Sequence, residues 1–300
     1  MTGGLRTLVR VRLRGEVLFD EPLSLHTSLK VGGTADIFAV PTDLDDLRVL
    51  LQIITKAGGA YLVIGGGYNL LVRDGGFRGV AISLRNFRSL EELPGNRVSA
   101  EAGVTNGALV RFAEERRLTG MEFLIGIPGT VGGAISVNAG AHGEAVMDRL
   151  ETLTTLRGVS MVTTARAELD CGYRSLSLAP GEIVVGATFR LAVGGAAEIE
   201  ARIEGFLAHR RNAQRVSHPN AGSFFRNPEG LQAWRLIDAA GLRGYRIGGA
   251  QVSEAHANFL VNRGGGTARD FLELAALIKE KVKEQSGIAL EEEVKIVGVE

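Results

Sequence analysis

Two glycine-rich stretches constrain this chain more than any other feature. Tyr61-Leu62-Val63-Ile64 reads as a short buried strand, and Gly65-Gly66-Gly67-Tyr68-Asn69-Leu70-Leu71 follows at once. Further along stands Gly126-Ile127-Pro128-Gly129-Thr130-Val131-Gly132-Gly133-Ala134, then Asn138-Ala139-Gly140-Ala141. Glycine alone reaches positive φ without steric cost, so clustered glycine marks backbone that turns tightly or approaches a ligand. Consecutive N–H groups in such a turn form an anion-binding nest. The first stretch lacks the Gly-x-Gly-x-x-Gly spacing that opens a dinucleotide-binding helix. Leu70-Leu71 also stand where a phosphate loop carries lysine and Ser/Thr. By itself the triple glycine suits a plain tight turn. Paired with the second stretch it suits a ligand with two phosphates and a long planar ring, because small residues let backbone donors close on a pyrophosphate. Ile127 and Pro128 stiffen the second loop and give it an apolar wall.

The rest of the chain alternates strands and helices. Residues 5–19 mix basic and apolar positions, and a short N-terminal helix is expected there. A strand ending at Pro41 precedes a helix from Thr42, read as a threonine cap with an acidic first turn and apolar residues at 44, 47, 50, 51 and 54. The middle third reads as short strands at 79–84, 97–102, 152–156, 161–164 and 183–191, interrupted by a helix over 105–116. Then come a long helix over 198–214, a short one over 234–240, a strand at 257–261, a threonine-capped helix over 267–285 and a last strand at 293–299. The apolar stripe at 271, 272, 274, 275, 278 and 282 is core. The fold class is α+β. The expected division is 1–70, 71–195 and 196–293, with 294–300 as a candidate to return to the first part.

Composition removes several function classes. Lys plus Arg and Asp plus Glu stand at 34 each, so no bulk field favours nucleic acid or an anionic membrane. The single cysteine, Cys171, excludes a disulfide framework and a cysteine-cluster metal site, and no metal is expected. Neither a signal peptide nor a membrane-length apolar run is visible, so a cytoplasmic protein is expected.

The two glycine stretches, together with Thr27-Ser28-Leu29-Lys30-Val31-Gly32-Gly33 and Asn220-Ala221-Gly222-Ser223-Phe224-Phe225-Arg226-Asn227-Pro228, make the resemblance specific. They resemble the UDP-N-acetylenolpyruvoylglucosamine reductase family in order and over nearly the whole chain. The resemblance implies a flavin-binding module of the vanillyl-alcohol-oxidase type in two lobes, plus a C-terminal substrate domain. FAD would lie along Ile64, Gly65, Gly66, Gly67, Tyr68, Asn69 and Leu70. Gly126, Ile127, Pro128, Gly129, Thr130, Gly132, Gly133, Ala134, Asn138 and Gly140 would complete its cradle. With no histidine or cysteine in 64–71, the flavin is expected to be non-covalent, and NADPH is the implied reductant.

Reducing an enol ether conjugated to a carboxylate needs a hydride at the terminal carbon, a proton at its neighbour, and a group to meet the charge that builds between. By resemblance Arg174 meets the carboxylate, Ser223 gives the proton and Glu293 helps stabilise the developing enolate. Taken singly, Arg174 reads as a loop arginine, Ser223 as a turn residue and Glu293 as a strand-end charge. Glu292 stands where the family usually has proline, so the catalytic carboxylate is Glu293 or its neighbour. Tyr173, Arg226, Asn227 and His256 are the implied substrate-side residues, and UDP-N-acetylglucosamine enolpyruvate the implied substrate. No tyrosine-bearing capping insertion is visible, which implies the shorter subtype. Arg210, Arg211 and Arg215 are then candidates to cover the nucleotide, or else form a solvated helix end. Two other readings stay open on the residues alone: a flavin oxidase of the same fold acting on an alcohol, sugar or lactone, and a non-catalytic nucleotide-binding module.

Overall fold

The computed structural model describes residues 2–213 and 216–300. The chain forms two compact units. The first comprises Met1–Phe19, Ile37–Gly66 and Gly79–Arg210; the second comprises Asp20–Asp36, Gly67–Arg78 and Arg211–Glu300. These cuts differ from the three-part division read from the sequence. In particular, most of the long helix expected to open the last part is counted with the first unit.

Helices α1 (Thr2–Arg12), α2 (Leu44–Lys56), α3 (Asn106–Glu115), α4 (Val131–Ser136) and α5 (Ala196–Ala213) come in chain order, followed by α6 (Ala233–Ala239) and α7 (Ala268–Ser286). The short N-terminal helix expected within 5–19 is present as α1, but the stretch does not stay helical. The helix ends at Arg12, and Glu16–Pro22 is a strand. Leu5, Val9 and Leu13 point one face of α1 into a core with Leu47, Leu50, Leu51 and Ile54 of α2. The cap of α2 is also corrected: it is Asp43, not Thr42, whose carboxylate accepts from the Asp46 N–H. Asp46, buried, accepts in turn from the Arg14, Gly15 and Thr42 N–H groups and so joins the two helices' ends.

A four-stranded sheet runs in the order Glu16–Pro22, Thr34–Val40, Phe77–Ser83, Tyr61–Ile64. Its last pair is parallel, with Ile64 opposite Ser83, and this delivers the chain to Gly65. A second, five-stranded sheet orders Ser160–Ala165, Leu150–Arg157, Glu182–Arg190, Arg97–Glu101 and Leu90–Leu93, all antiparallel. Leu153, Ala187, Val98 and Phe189 from that sheet pack with Val131, Ala134 and Ile135 of α4 in one core. Burial of α4 against the sheet thus fixes where the second glycine loop ends.

The second unit has its own core. Strands Asn220–Ser223, Phe259–Asn262, Ala250–Val252 and Arg246–Ile247 form an antiparallel sheet under α7. Phe271, Leu274, Ile278 and Val282 give α7 its buried stripe against Phe224, Phe225 and Ile237. Thr267 and Asp270 make a capping box at its start, and Gly287 ends it at φ +73°. The final strand, Lys295–Val297, pairs in parallel with Leu70–Val72.

Candidate active site

In the first unit the two glycine loops meet. A Cβ on Gly65 would lie 2.8 Å from the Thr130 hydroxyl, so glycine is needed for the approach. Thr130 caps α4 by accepting from the Gly133 N–H, and a Cβ on Gly132 would collide with Ala102 at 2.8 Å. Gly65 and Gly66 are exposed, so the loop's backbone is open to a binder. Gly129 turns at φ +122°. The loop is held from behind by Asn106, which is buried. Its main-chain N–H donates to the Gly129 carbonyl, and its Nδ2 donates to the Ile127 carbonyl at 3.0 Å. Arg210 donates to the Gly126 carbonyl. Its guanidinium pKa is pushed down by burial, which sets aside the solvated helix end, one of the two readings of this residue. Small residues, an open loop backbone and a rigid backing fit a dinucleotide cofactor.

Arg174 lies in the same unit, in the two-residue turn between strands Cys171–Gly172 and Ser175–Leu176. It takes φ +54°, a left-handed conformation that side chains other than glycine adopt rarely. Backbone strain of this kind is kept where surrounding contacts determine it. Here the Arg174 Nη2 donates to the Gly140 carbonyl at 2.6 Å, and the guanidinium carbon lies 5.4 Å from the Tyr173 ring centroid. Buried Asn138 ties the turn down from the other side. Its Nδ2 donates to the Gly172 carbonyl at 2.9 Å, and its Oδ1 accepts from the Met147 N–H. Tyr173 is more than half exposed.

The second unit holds Gly67, Tyr68, Asn69, Leu70, Ser223, Glu293 and the implied substrate residues. A Cβ on Gly67 would lie 2.1 Å from the His26 carbonyl oxygen, and Ser28 bonds the Gly67 carbonyl through both its N–H and its hydroxyl. Ser223 ends a strand opposite Phe259. Beyond it the Phe224 carbonyl accepts from the Glu293 N–H at 2.8 Å, while the Asn69 Nδ2 donates to the Glu293 carbonyl. Ser223 and Glu293 are thus placed by adjoining backbone. Buried Asn258 locks the same backbone by accepting from the Phe225 N–H and donating to its carbonyl. Glu292 is employed elsewhere: both its carboxylate oxygens take the Lys279 ammonium, at 3.0 and 3.2 Å.

The remaining implied residues have local roles. The Asn227 Oδ1 accepts from the Ala233 N–H at the start of α6, and the Arg226 N–H pairs with the Glu291 carbonyl. His256 packs 4.6 Å from the Phe259 ring and 6.2 Å from Trp234, and its Nδ1 accepts from the Asn258 N–H. Burial first, then the Arg243 charge, holds its pKa below the ordinary value. Arg215 lies outside the described residues. Sequence reasoning missed Asn106 and Asn258 as supports of the site. Each polar residue stands beside a small or apolar one in an unremarkable run, so only the fold reveals its partner.

Known protein families match the chain along the same outline. Residues 35–169 match the FAD binding domain family, and residues 191–297 match the UDP-N-acetylenolpyruvoylglucosamine reductase, C-terminal domain. The chain is 65% identical, over the full length of both, to the UDP-N-acetylenolpyruvoylglucosamine reductase of Geotalea uraniireducens. It is 57% identical over the full length of both to the enzyme of that name from Geobacter sulfurreducens. The crystal structure of the Thermus caldophilus reductase shares 33% identity and superposes with a TM-score of 0.81, covering 95% of this chain and 99% of that one.

Proposed function

The chain belongs to the UDP-N-acetylenolpyruvoylglucosamine reductase family, and on that premise we propose that Arg174, Ser223 and Glu293 divide the protein's share of the reduction. The enzyme is an FAD-dependent oxidoreductase of peptidoglycan precursor synthesis that reduces UDP-N-acetylglucosamine enolpyruvate to UDP-N-acetylmuramate at the expense of NADPH. Bound FAD supplies the hydride chemistry, and the chain's own residues supply binding, orientation and the proton.

FAD would be held by residues 64–70, 126–130, 132–134, Asn138 and Gly140, without a covalent bond, since residues 64–71 contain no histidine or cysteine. Arg174 pairs with the substrate carboxylate. Its guanidinium keeps its charge at neutral pH and presents planar paired donors, so it strengthens its grip as charge moves onto the carboxylate oxygens. Ser223 gives its proton to the carbon next to that carboxylate and is reprotonated from solvent. Glu293 lowers the same charge as a hydrogen-bond donor, which requires its carboxyl to carry a proton at that step. Glu292 is left out of the chemistry, because its carboxylate is bound to Lys279. Tyr173, Arg226, Asn227 and His256 line the substrate side in this reading. The chain is of the shorter subtype, and its location is cytoplasmic; no helix among the described residues is long and apolar enough to cross a membrane.

The observation that supports this most is the strained Arg174 turn with its guanidinium held on Gly140. Arg174→Lys is the test. Reduction of the flavin by NADPH should keep its rate, while reoxidation by the enolpyruvyl nucleotide slows about a hundredfold, the scale of losing one well-aimed charge-stabilising donor. Equal slowing of both half-reactions, or of neither, removes Arg174 from this role.

A further inference from the structure

We propose that Glu144 and Arg202 are positioning residues for Arg174, acting through the hairpin formed by Gly140–Ala141 and Glu144–Ala145; the proposal rests on Arg174 contacting the substrate carboxylate. The guanidinium is seated on the Gly140 carbonyl, so its aim follows wherever that carbonyl is placed. Its fit is close. A Cβ on Gly140 would lie 2.4 Å from the Glu144 carbonyl oxygen and 3.1 Å from the Arg174 Nη1.

The hairpin cannot fix Gly140 by itself. Its strands pair at only two positions, Glu144 with Ala141 and Ala145 with Gly140, across a turn at His142 and Gly143 with φ +57° and +82°. Isolated hairpins even longer than this are marginal in water. The anchoring comes from outside. One Glu144 carboxylate oxygen accepts from Arg149 at 2.9 Å, and the other from Arg202 of α5 at 2.8 Å. Arg149 also donates to the Gly120 carbonyl, and Arg202 lies 3.6 Å from the buried Glu122 carboxylate. At the hairpin tip His142 stacks on Phe206 at 4.5 Å and meets the edge of His209 at 4.8 Å. Positions 202, 206 and 209 share one face of α5 by helical spacing. That face therefore grips the hairpin at its turn and at the strand pair beside it, one residue from Gly140.

The charges of this network retain side-chain exposures of 22% for Glu144, 34% for Arg149 and 38% for Arg202. Ion pairs so exposed add little to stability. They do fix direction, and a misplacement of about 1 Å at a reacting group costs up to about a hundredfold in rate. The network thus sets geometry more than it holds the fold.

The test uses FAD-loaded enzyme and follows the two half-reactions separately. Arg202→Gln should slow reoxidation by saturating enolpyruvyl nucleotide about tenfold. The rate of reduction by NADPH per bound FAD should stay unchanged. Arg202→Lys, which restores a single charged donor, should recover most of the rate. In an Arg174→Lys background, Arg202→Gln should add nothing, because the two residues act in series. Should Arg202→Gln not accumulate as folded holoenzyme, Glu144→Gln reads the same coupling. A normal reoxidation rate in Arg202→Gln, or a full tenfold loss added on top of Arg174→Lys, overturns the proposal. If Arg174→Lys alone reoxidises normally, the arginine assignment itself fails, and that result is distinct from either.

Discussion

Arg174 and the Ser223–Glu293 pair are held by different means. Arg174 stands in a left-handed turn, and its guanidinium rests on a carbonyl whose place depends on charged and aromatic side chains of α5. Ser223 and Glu293 stand on main chain that pairs with main chain, closed by one buried amide, Asn258. The difference teaches where each region is fragile. The half-exposed charged supports on the arginine side, Glu144 and Arg202, can be lost with little cost in stability but a cost in aim, whereas the buried Asn138 amide behind the turn cannot. The support on the serine side cannot be lost without loosening the core of its unit.

Asn258→Ala breaks the comparison most sharply. It leaves the buried Phe225 N–H and carbonyl without their side-chain partner and should cost about 2–6 kcal/mol, at about 1–3 kcal/mol for each orphaned group. Thermal or denaturant unfolding reads this directly, and a loss under about 1 kcal/mol would mean that the amide is dispensable. Glu293→Ala comes next, with about tenfold slower flavin reoxidation by substrate because it removes the proposed donor, and an unchanged melting temperature. Glu292→Gln should do the reverse at smaller scale: a normal rate, and a loss below about 1 kcal/mol for its half-exposed pair with Lys279. If Glu292→Gln is the slow variant, the catalytic carboxylate moves by one residue.

The smallest effect is in pH. Burial and Arg243 hold the His256 pKa below its ordinary value of 6.5, so the folded protein resists the proton that the unfolded chain accepts. Unfolding then takes up protons, and stability falls as pH drops below 6.5 towards the lowered folded value. Above that window the contribution is fully present. Unfolding titrations of His256→Gln should show a shallower loss over the same range, and an identical slope would mean that His256 titrates as freely in the fold as out of it.

Much of this arrangement was legible before the fold was known. The threonine-capped α7 and its apolar stripe, the strand into Gly65 and the short α6 carry their periodicity, and α7 its cap, within a single window of sequence. The glycine loops were legible because positive φ and close approach leave no other residue type. The hairpins around His142 and Arg174 were not, since strands of two residues show no alternation. The strand Glu16–Pro22 was lost for a related reason: it follows α1 within a few residues, and the mixed basic and apolar run has no single period. The supports were the least legible. Arg202 meets a carboxylate 58 positions away, and nothing local marks either partner. Arg210 reads as a solvated helix end until the fold lays it on the Gly126 carbonyl. In the acidic triplet, three equal charges carry no order until Lys279 claims Glu292.

Most direct of all is single-turnover reoxidation of Ser223→Ala loaded with FAD and reduced beforehand, mixed without oxygen against the enolpyruvyl nucleotide. A protein whose serine delivers the proton should reduce with NADPH at the normal rate and then reoxidise at least tenfold more slowly. Reoxidation as fast as in the unaltered enzyme would contradict the assignment of that proton to Ser223 and, with it, the division of labour proposed for the site.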